Sequence, residues 1–308
     1  FYGKRRMQET GNTITLQQEG SQIFDERFKD ESLGMPQTKI AIVGLGFVGG
    51  AVSYGFTHPE VIQQHIDPKL GTEVINIDED TDYIFICVPT PMDDFSIVRE
   101  VVEEILSNGF DATIIIKSTV TPNIMEEFCH PQVVYNPEFL TEKSAQEQFI
   151  NPEFHIFGGD FDAVDDAIHL YTEFSLCNPA PVYRLTLEEA SIVKYTINTF
   201  LATKVTFFNQ IYDLCQQYGA NFNHVANAAG ADSRIGLSHT KVPGFDGKRG
   251  FGGACFPKDC KAITDVAGES ILSIVEATIK ANNEYRAQYE RDDREKAQNI
   301  VYLKKEKD

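Results

Sequence analysis

The chain has 308 residues, of which 42% are hydrophobic, so it is long enough for one large or two medium domains with real cores. Its net charge of −19 at pH 7 disfavours binding to nucleic acid or to an anionic membrane surface. The six cysteines have no disulfide-framework or zinc spacing and no apolar stretch is long enough to span a bilayer, so we expect reduced thiols, no metal, no signal peptide and a cytoplasmic location.

Residues 1–35 are polar, without sustained periodicity, and we expect a poorly ordered extension. From residue 36 to residue 185, short apolar strands alternate with helical segments. Near-continuous apolar strands in such an arrangement predict an α/β fold with a Rossmann-like, doubly wound parallel sheet covered by helices on both faces. The predicted strands are Lys39–Val43, Tyr83–Val88, Thr113–Lys117, Gln132–Tyr135, His155–Gly158 and Tyr183–Leu185.

Residues 186–290 form a predicted helical domain with a long central helix. The segment Thr186–Gln217 has apolar residues at three-to-four spacing and no Pro or Gly, which predicts a helix about 45 Å long. Thr186 and Glu189 predict a capping box, and Gly219 predicts the C-terminal stop. Because one small domain cannot cover such a helix, we expect it to cross between lobes or to pack against a second chain. Residues 291–308 are predicted as a charged tail.

A glycine-rich turn, Gly44-Leu-Gly46-Phe47-Val48-Gly49, follows the first strand directly and precedes a helix. The first glycine permits a tight turn, the second lets a pyrophosphate approach the backbone, and the third allows close helix–strand contact. An acidic residue about 20 positions later usually binds the adenosine ribose. Asp67 is the candidate, and His65 is the alternative occupant of that place. We therefore predict NAD binding; a plain glycine-rich turn and an ordinary Asp-Pro turn are the alternatives.

Three polar motifs follow the second, third and fourth of these strands. Ligands in open α/β sheets bind at the carboxyl ends of the strands, so we expect the three motifs to share a site with the glycine turn. Loop capping at each strand end is the alternative interpretation. The motifs are Val88-Pro-Thr90-Pro, Lys117-Ser-Thr119-Val and Asn136-Pro-Glu138-Phe139-Leu140-Thr-Glu142.

Two features of the helical domain suggest chemistry. Lys194 and Asn198 are four residues apart on the long helix, so their polar heads share one face, which is either solvated or lines a cleft. Residues 251–259 read Phe-Gly-Gly-Ala-Cys255-Phe-Pro-Lys258-Asp259. A cysteine on a glycine-rich loop leaves room for a substrate carbon, and the nearby Lys258 cation favours the attacking thiolate. A buried structural cysteine beside a turn is the alternative.

Taken in this order, the motifs resemble those of the nucleotide-sugar dehydrogenases, the UDP-glucose/GDP-mannose dehydrogenase family. The resemblance runs from about residue 39 to about residue 286, and the cysteine motif is similar to that of the UDP-glucose branch. It implies a twofold, NAD-dependent oxidation of UDP-glucose to UDP-glucuronate through a thiohemiacetal and a thioester on Cys255. By the same resemblance Lys194 and Asn198 stabilise the oxyanion, Asp259 and Thr119 position water, and Glu138 serves in acid–base steps.

The resemblance also implies binding residues and an assembly. The long helix would be the core of a homodimer, with Arg234 presented to the neighbouring subunit's substrate. Arg249 is a further candidate for phosphate binding, because it lies in a basic loop. The implied cofactor-binding residues are Gly44, Gly46, Phe47, Val48, Gly49, Asp67, Val88, Thr90, Thr119, Glu142 and Lys258. The implied substrate contacts are Glu138, Phe139, Leu140, Lys194, Asn198 and Gly252.

The chain departs from the family pattern in its cofactor domain, which is shortened around residues 58–74, and in its N-terminal extension. By the resemblance, family members continue into a second α/β domain that helps to hold the uridine diphosphate. We expect a short form lacking most of that domain; a fragment, or a partner that supplies the missing surface, are the alternatives. Three further hypotheses stay open: a dehydrogenase of GDP-mannose or UDP-N-acetylmannosamine, a degenerate nucleotide-binding protein without activity, and a hydroxyacid dehydrogenase. The last of these would not need Cys255.

Overall fold

In the part of the chain that the structure describes, seven strands form one sheet. From edge to edge they are Val61–Ile66 (β2), Thr38–Val43 (β1), Tyr83–Ile86 (β3), Thr113–Ile116 (β4), Val133–Tyr135 (β5), His155–Gly159 (β6) and Val182–Leu185 (β7). The computed structural model describes residues 37–92, 94–268 and 270–303, so the predicted extension at 1–35 lies outside the described residues. Neighbouring strands are parallel except β5 and β6, which run antiparallel and depart from the purely parallel prediction.

Helices cover both faces of this sheet, which confirms the predicted Rossmann-like architecture. Alternate residues of one strand enter two separate cores: Ala41 and Val43 of β1 bury on one face, and Ile40 and Ile42 on the other. The helices are α1 (Phe47–Gly55), α2 (Ser96–Asn108), α3 (Pro122–Glu127), α4 (Ala145–Ile150), α5 (Phe161–Phe174), α6 (Leu187–Tyr218), α7 (Phe222–Gly230), α8 (Phe256–Ala267), α9 (Ser273–Arg286) and α10 (Asp293–Ala297).

The strand β2 was not among the predicted elements. It lies at the edge of the sheet and pairs with β1 alone, so its sequence Val-Ile-Gln-Gln-His-Ile carries polar residues instead of a continuous apolar run. Between β2 and β3 the structure has two 3-10 turns, Pro68–Leu70 and Val74–Asn76, where a βαβ unit usually carries a helix. This is the shortening that the sequence indicates around residues 58–74.

The long helix α6 has 32 residues, which corresponds to about 48 Å. Its capping box between Thr186 and Glu189 is present, and Gly219 ends the helix with a φ of +65°. The N-terminal part packs on the sheet through Leu187 and Ala190. The rest packs against α7, α8 and α9, so the helix crosses from the sheet to the helical region. None of the helices in the described ranges has the length and apolar character that crossing a bilayer requires.

In the described part of the predicted charged tail, residues 291–303, two side chains pack against the protein and most of the others are exposed. Helix α10 begins with a capping box between Asp292 and Glu295, and the side chains of Glu295 and Ile300 are buried. The carboxylate of Glu295 accepts a hydrogen bond from the backbone N–H of Gly253 at 3.1 Å. The run of charges in the sequence suggests a solvated segment. The partner of the buried Glu295 carboxylate lies 42 residues away in the sequence, and no local pattern reveals such a contact.

Candidate active site

A cavity of about 650 Å³ lies at the carboxyl ends of β1, β2, β3 and β4, and we call it the Cys255 cavity. It brings the glycine turn and Cys255 into one space, although more than 200 residues separate them in sequence. Of the residues predicted for the site, it is lined by Gly44, Gly46, Phe47, Val48, Asp67, Val88, Thr90, Thr119, Glu138, Cys255 and Lys258.

The three glycines of the turn have different structural roles. Gly44 has a φ of +90°, and a Cβ there would lie 2.7 Å from the carbonyl oxygen of Cys87, so both the backbone and the space require glycine. A Cβ at Gly49 would overlap the carbonyl oxygen of Gly44. Gly46 faces open space, with no atom within 4 Å of where its Cβ would be. A phosphate can therefore approach the backbone at Gly46, at the start of α1.

Asp67 follows β2 directly and lines the Cys255 cavity. Its carboxylate accepts hydrogen bonds from the backbone N–H of Leu45 at 2.7 Å and of Lys69 at 2.9 Å. These two bonds hold the pKa of Asp67 below its ordinary value, so the carboxylate stays ionised and can accept from ribose hydroxyls. His65 instead lies within β2, with Nε2 3.1 Å from Ser53 Oγ. The glycine turn and Asp67 fit a dinucleotide.

Cys255 immediately precedes α8 and is partly exposed to the cavity. Burial raises the pKa of its thiol to about 11, and the carboxylates of Asp259 and Glu138 raise it further against the opposing cations Lys194 and Lys258. The resting side chain is therefore a thiol. As expected, the Lys258 cation lowers the pKa of Cys255. Burial and the two carboxylates outweigh it, so the pKa is raised overall.

Lys258 has a smaller effect than expected because its ammonium group is already paired. Its Nζ donates to Asp259 Oδ1 at 2.6 Å, and Asn198 Nδ2 donates to the other carboxylate oxygen at 2.6 Å. Asp259 is 1% exposed and holds both groups against the start of α8. The carboxylate of Asp259 thus links the cysteine loop to α6.

Lys194 lies one turn before Asn198 on α6, and both side chains are buried, which excludes the solvated-face alternative. Its Nζ donates to the backbone carbonyl of Glu138 and lies 3.5 Å from the Oε1 atom of Glu138. Burial lowers the pKa of Lys194, but Glu138, Asp259 and Cys255 outweigh burial and raise it. Lys194 therefore remains a cation beside the thiol.

A second cavity, of about 450 Å³, adjoins the first, and we call it the Phe139 cavity. Phe139 and Leu140 line it, and it shares Lys117 and Glu138 with the Cys255 cavity. One oxygen of the Glu138 carboxylate accepts from the backbone N–H of Leu140 at 2.6 Å, which fixes the loop between the cavities. Two ligands bound in these two spaces would meet at Glu138.

The structure does not bring the two predicted arginines to either cavity. The guanidinium group of Arg249 donates to Asp213 and stacks over Tyr212 and Tyr285. It is therefore used in contacts within the helical region. The side chain of Arg234 is 87% exposed and pairs with its neighbour Asp232.

Six further candidates also lie outside the two linings: the buried Lys194, Asn198 and Asp259 described above, and Gly49, Glu142 and Gly252. Gly49 is inside the glycine turn, as described above. Glu142 is exposed and pairs with Arg294 at 3.7 Å. Gly252 lies in the cysteine loop, where an added Cβ would overlap Glu295 and crowd Arg286 at 2.5 Å.

Sequence reasoning missed Lys117, which lines both cavities. Its Nζ donates to Asn136 Oδ1 at 2.6 Å, and burial lowers its pKa to about 8. Both residues belong to motifs identified in the sequence, but only Thr119 and the residues from Glu138 onward were assigned roles. The sequence signal that could have identified Lys117 and Asn136 is a polar residue directly after an apolar strand. Gln298, which also lines the Cys255 cavity, had no comparable signal.

No cluster of His, Cys, Asp or Glu suited to a metal ion occurs among the residues that the structure describes.

Comparisons with known proteins identify the family. Residues 59–175 match the NAD binding domain of the UDP-glucose/GDP-mannose dehydrogenase family, and residues 188–284 match the central domain of the same family. The chain belongs to the UDP-glucose/GDP-mannose dehydrogenase family. Membership confirms the resemblance and the predicted cofactor, NAD. The Gly44–Gly49 turn precedes the matched range, so its assignment depends on the geometry described above.

Within the UDP-glucose/GDP-mannose dehydrogenase family, the chain is 33% identical over 222 residues to UDP-glucose 6-dehydrogenase of Rickettsia bellii (strain RML369-C). It is 35% identical over 226 residues to UDP-glucose 6-dehydrogenase TuaD of Bacillus subtilis (strain 168). Each alignment covers 67% of this chain but 50% and 47% of those proteins, so the chain spans about half the length of the curated relatives it matches. The structure of a UDP-glucose dehydrogenase from the hyperthermophilic archaeon Pyrobaculum islandicum superposes with a TM-score of 0.69 and 26% identity, over 80% of this chain and 68% of that one.

Proposed function

We propose that this protein oxidises UDP-glucose to UDP-glucuronate in two NAD-dependent steps, with Cys255 holding the intermediate. The observation that carries the proposal is that Cys255 and the Gly44–Gly49 turn open to one cavity. The relatives named UDP-glucose 6-dehydrogenase support the choice of sugar nucleotide.

The cofactor would lie in the Cys255 cavity. The backbone at Gly46 would hold its pyrophosphate and Asp67 its adenosine ribose, with Val48, Val88 and Thr90 along the cavity wall. When bound, NAD supplies the acceptor for one hydride in each oxidation.

The sugar end of the substrate would meet the cysteine at the junction of the two cavities. The first oxidation converts the primary alcohol to an aldehyde, with one hydride and one proton lost. The thiol of Cys255 then adds to the aldehyde carbon, and its proton goes to the new oxygen, which forms a thiohemiacetal. Loss of a second hydride and the hydroxyl proton gives a thioester, and water releases the carboxylate and restores the thiol.

The groups around Cys255 suit these steps. Lys194 stays cationic and can stabilise the negative charge that develops on the sugar oxygen, with Asn198 as a second donor. Glu138 lies at the junction of the two cavities, where it can exchange the protons of the alcohol and the hydroxyl. Thr119 lines the cavity and would orient the hydrolytic water. Asp259, whose buried carboxylate bonds Lys258 and Asn198, would act by holding those two groups.

The Phe139 cavity would hold part of the sugar nucleotide. It contacts the junction through Glu138, and Phe139 and Leu140 form one wall. His155 lies on its lining, and burial lowers the pKa of this residue to about 4, so its ring is neutral at physiological pH and can accept or donate a hydrogen bond without charge.

We also propose a homodimer formed through α6. Exposed apolar side chains recur along this helix at Phe200, Phe207 and Leu214, at spacings of seven residues. Seven-residue spacing places them in one line along the helix, so they form an apolar stripe of the kind that packs against a second helix.

Arg234 lies close to this stripe. Lys204 of α6 donates from Nζ to the carbonyl oxygens of Ile235 and Gly236 and so holds the Arg234 segment on the helix. The exposed guanidinium is therefore carried on the same side of the molecule as the stripe, which supports its presentation to a second subunit.

The test of the activity is to follow NADH formation with a panel of UDP- and GDP-sugars. The proposal expects two NADH for each UDP-glucose consumed and little turnover with GDP-mannose or UDP-N-acetylmannosamine. Turnover of one of those sugars instead would move the protein to another branch of the family. No NADH with any sugar, in a protein that still binds NAD, would favour the degenerate nucleotide-binding hypothesis.

The test of the covalent route is Cys255→Ser. We expect this variant to lose at least a thousandfold in UDP-glucuronate formation, because a neutral hydroxyl is a far weaker nucleophile, while NAD binding persists. Cys129→Ser, at an exposed thiol outside both cavities, is the matched control and should retain full activity. Full turnover by Cys255→Ser would contradict the route and favour a hydroxyacid-type dehydrogenase.

A further inference from the structure

The loop that leads to Cys255 cannot hold its own conformation through side chains. Gly252 and Gly253 have none, and Gly253 has a φ of +80°, in the left-handed region. Consecutive glycines allow many backbone conformations, so such a loop keeps one shape only when other parts of the protein hold it. The position of the Cys255 sulfur therefore depends on groups outside the loop.

Both ends of this loop are attached to the helical region. On one side, the backbone N–H of Phe251 donates to Asn282 Oδ1 on α9 at 2.7 Å. On the other side of the sulfur, the buried Asp259 bonds to α6 and holds the start of α8. Between these attachments, within the described part of the chain, one hydrogen bond joins the loop to another element. The backbone N–H of Gly253 donates to Oε1 of Glu295 at 3.1 Å.

Glu295 is itself held in one place. Its side chain is buried, Oε1 also accepts from the hydroxyl of Tyr302 at 2.8 Å, and Oε2 accepts from the backbone N–H of Asp292 at 2.9 Å. The side chain of Asp292 accepts in return from the N–H of Glu295, which completes the capping box of α10. A buried carboxylate with three donors has few alternative positions, so the N–H of Gly253 is held with it.

The carboxylate of Glu295 lies directly against the loop at Gly252. A Cβ at this glycine would lie 2.4 Å from Glu295 Oε1 and 2.5 Å from the guanidinium group of Arg286. Arg286 is buried and donates to Asp246 at 2.7 Å. Its positive charge beside the buried carboxylate offsets part of the cost of removing Glu295 from water.

We propose that Glu295 is a positioning residue for the reaction, because it holds the Cys255 loop where the sulfur can reach the aldehyde carbon. This deepens the proposed function and rests on it, since it takes Cys255 as the nucleophile. Addition of a thiol to a carbonyl needs close and aligned atoms, and a displacement of about 1 Å can cost on the order of a hundredfold in rate. Glu295 lines neither cavity, so it acts through the loop and not on the substrate.

The experiment separates this attachment from the stability of α10. Glu295→Ala removes the acceptor of the Gly253 bond, so kcat for UDP-glucose oxidation should fall about 10- to 100-fold, with KM for NAD within about twofold of wild type. Glu295→Gln keeps an oxygen for Gly253 but loses the acceptor for the Asp292 N–H, so it should retain most of kcat. Asp292→Ala is the matched control. It removes the cap of α10 and leaves the Gly253 bond, so it should lower the melting temperature and keep kcat.

A second measurement needs no substrate. Burial is the largest cause of the raised pKa of Cys255, so a released loop should expose the thiol. Glu295→Ala should therefore be alkylated by iodoacetamide at Cys255 at least about threefold faster than wild type at pH 8, whereas Cys129 reacts as before. Asp292→Ala should leave both alkylation rates unchanged. Faster alkylation together with slower turnover is the expected signature of a displaced sulfur.

Unchanged kcat in Glu295→Ala, or equal losses in Glu295→Ala, Glu295→Gln and Asp292→Ala, would overturn the proposal. If Glu295→Ala does not fold, Glu295→Met, which keeps the side-chain length without an acceptor, gives the same comparison. Wild-type protein that forms no NADH with any sugar would refute the proposed function instead. In that case the alkylation rates of Cys255 would still test whether Glu295 holds the loop.

Discussion

At the scale of single residues, the chemistry around Cys255 depends on the balance between burial and neighbouring charges. Burial and two carboxylates keep the thiol protonated, whereas Lys194 and Lys258 oppose them. The resting protein therefore keeps the Cys255 thiol, the proposed nucleophile, in its unreactive form, which disfavours its oxidation and alkylation.

The reactivity of Cys255 should depend steeply on pH. Because its pKa is about 11, the alkylation rate with iodoacetamide should rise about tenfold per pH unit between pH 7 and pH 10. Lys194→Met should slow alkylation further, since it removes a cation that lowers this pKa. Peptide mass spectrometry reads Cys255 separately from the exposed Cys129, which serves as the internal control. A midpoint at pH 8.5 or below would show that burial and the two carboxylates do not outweigh the neighbouring cations.

The buried Lys117 should make stability depend on pH above neutrality. Its pKa is lowered by burial from 10.5 to about 8, so the unfolded state binds more protons between these values. The sign follows: the contribution of Lys117 to stability rises with pH from about 8 to about 10.5, by about 3 kcal/mol at most. Urea unfolding at pH 7.5 and 10 measures it. Lys117→Met should abolish this rise, and Lys280→Met, at an exposed lysine of α9, should leave it intact.

Residues that carry chemistry differ in how well sequence reveals them. Cys255, Lys194 and Glu138 lie in ordered motifs, and the structure gathers them around one junction. Lys117 was inside such a motif, but its burial depends on packing against Tyr171 and Phe149, which lie on α5 and α4. Gln298 has no local signal, because its place at the cavity depends on a backbone contact with Met92, more than 200 residues earlier.

At the scale of elements, the strand–turn–helix unit of β1 and α1 is the part that sequence describes best. The glycine spacing predicts a separate role for each glycine, and the backbone angle at Gly44 and the space around Gly46 and Gly49 agree with those roles. The edge strand β2 escaped prediction because an edge position does not select for apolar residues on both faces. The antiparallel pairing of β5 and β6 has no sequence signal, since strand direction is set by the path of the connecting chain.

The glycine turn allows a matched pair of substitutions within one helix. Gly49→Ala would push a methyl group into the Gly44 carbonyl, so the turn must shift, and NAD binding should weaken at least tenfold. Gly50→Ala, where nothing lies within 4 Å of the new methyl group, should keep wild-type affinity and gain up to about 1 kcal/mol of stability. NAD titration and thermal melting of the two variants give the comparison. Equal affinities for Gly49→Ala and Gly50→Ala would show that the close approach at Gly49 is not needed for the cofactor.

At the scale of the whole molecule, the two cavities lie on either side of Glu138 and Lys117, beside the helix that carries the apolar stripe. The proposed assembly therefore depends on the same element, α6, that holds Lys194 and Asn198. The length of α6 indicated in the sequence that it crosses between lobes or packs against a second chain, but the position of the stripe required knowing which of its faces the sheet and α8 cover.

The proposed dimer has a direct test. The double variant Phe200→Glu/Phe207→Glu places two charges in the stripe and should convert a dimer to a monomer in light scattering after size-exclusion chromatography. Phe161→Glu, at an equally exposed aromatic on α5 away from the stripe, should stay dimeric. A wild-type protein that is monomeric at micromolar concentration, or a double variant that remains dimeric, would contradict an interface on α6.

The contact of Gly252 with Glu295 and Arg286 has an evolutionary consequence. Since a side chain at position 252 would collide with both, the glycine is required by the packing of a segment more than 40 residues downstream. Selection at the two positions should therefore be coupled. Homologues that carry alanine or serine at 252 should have lost the acidic residue at 295, and those that keep the acid should keep the glycine.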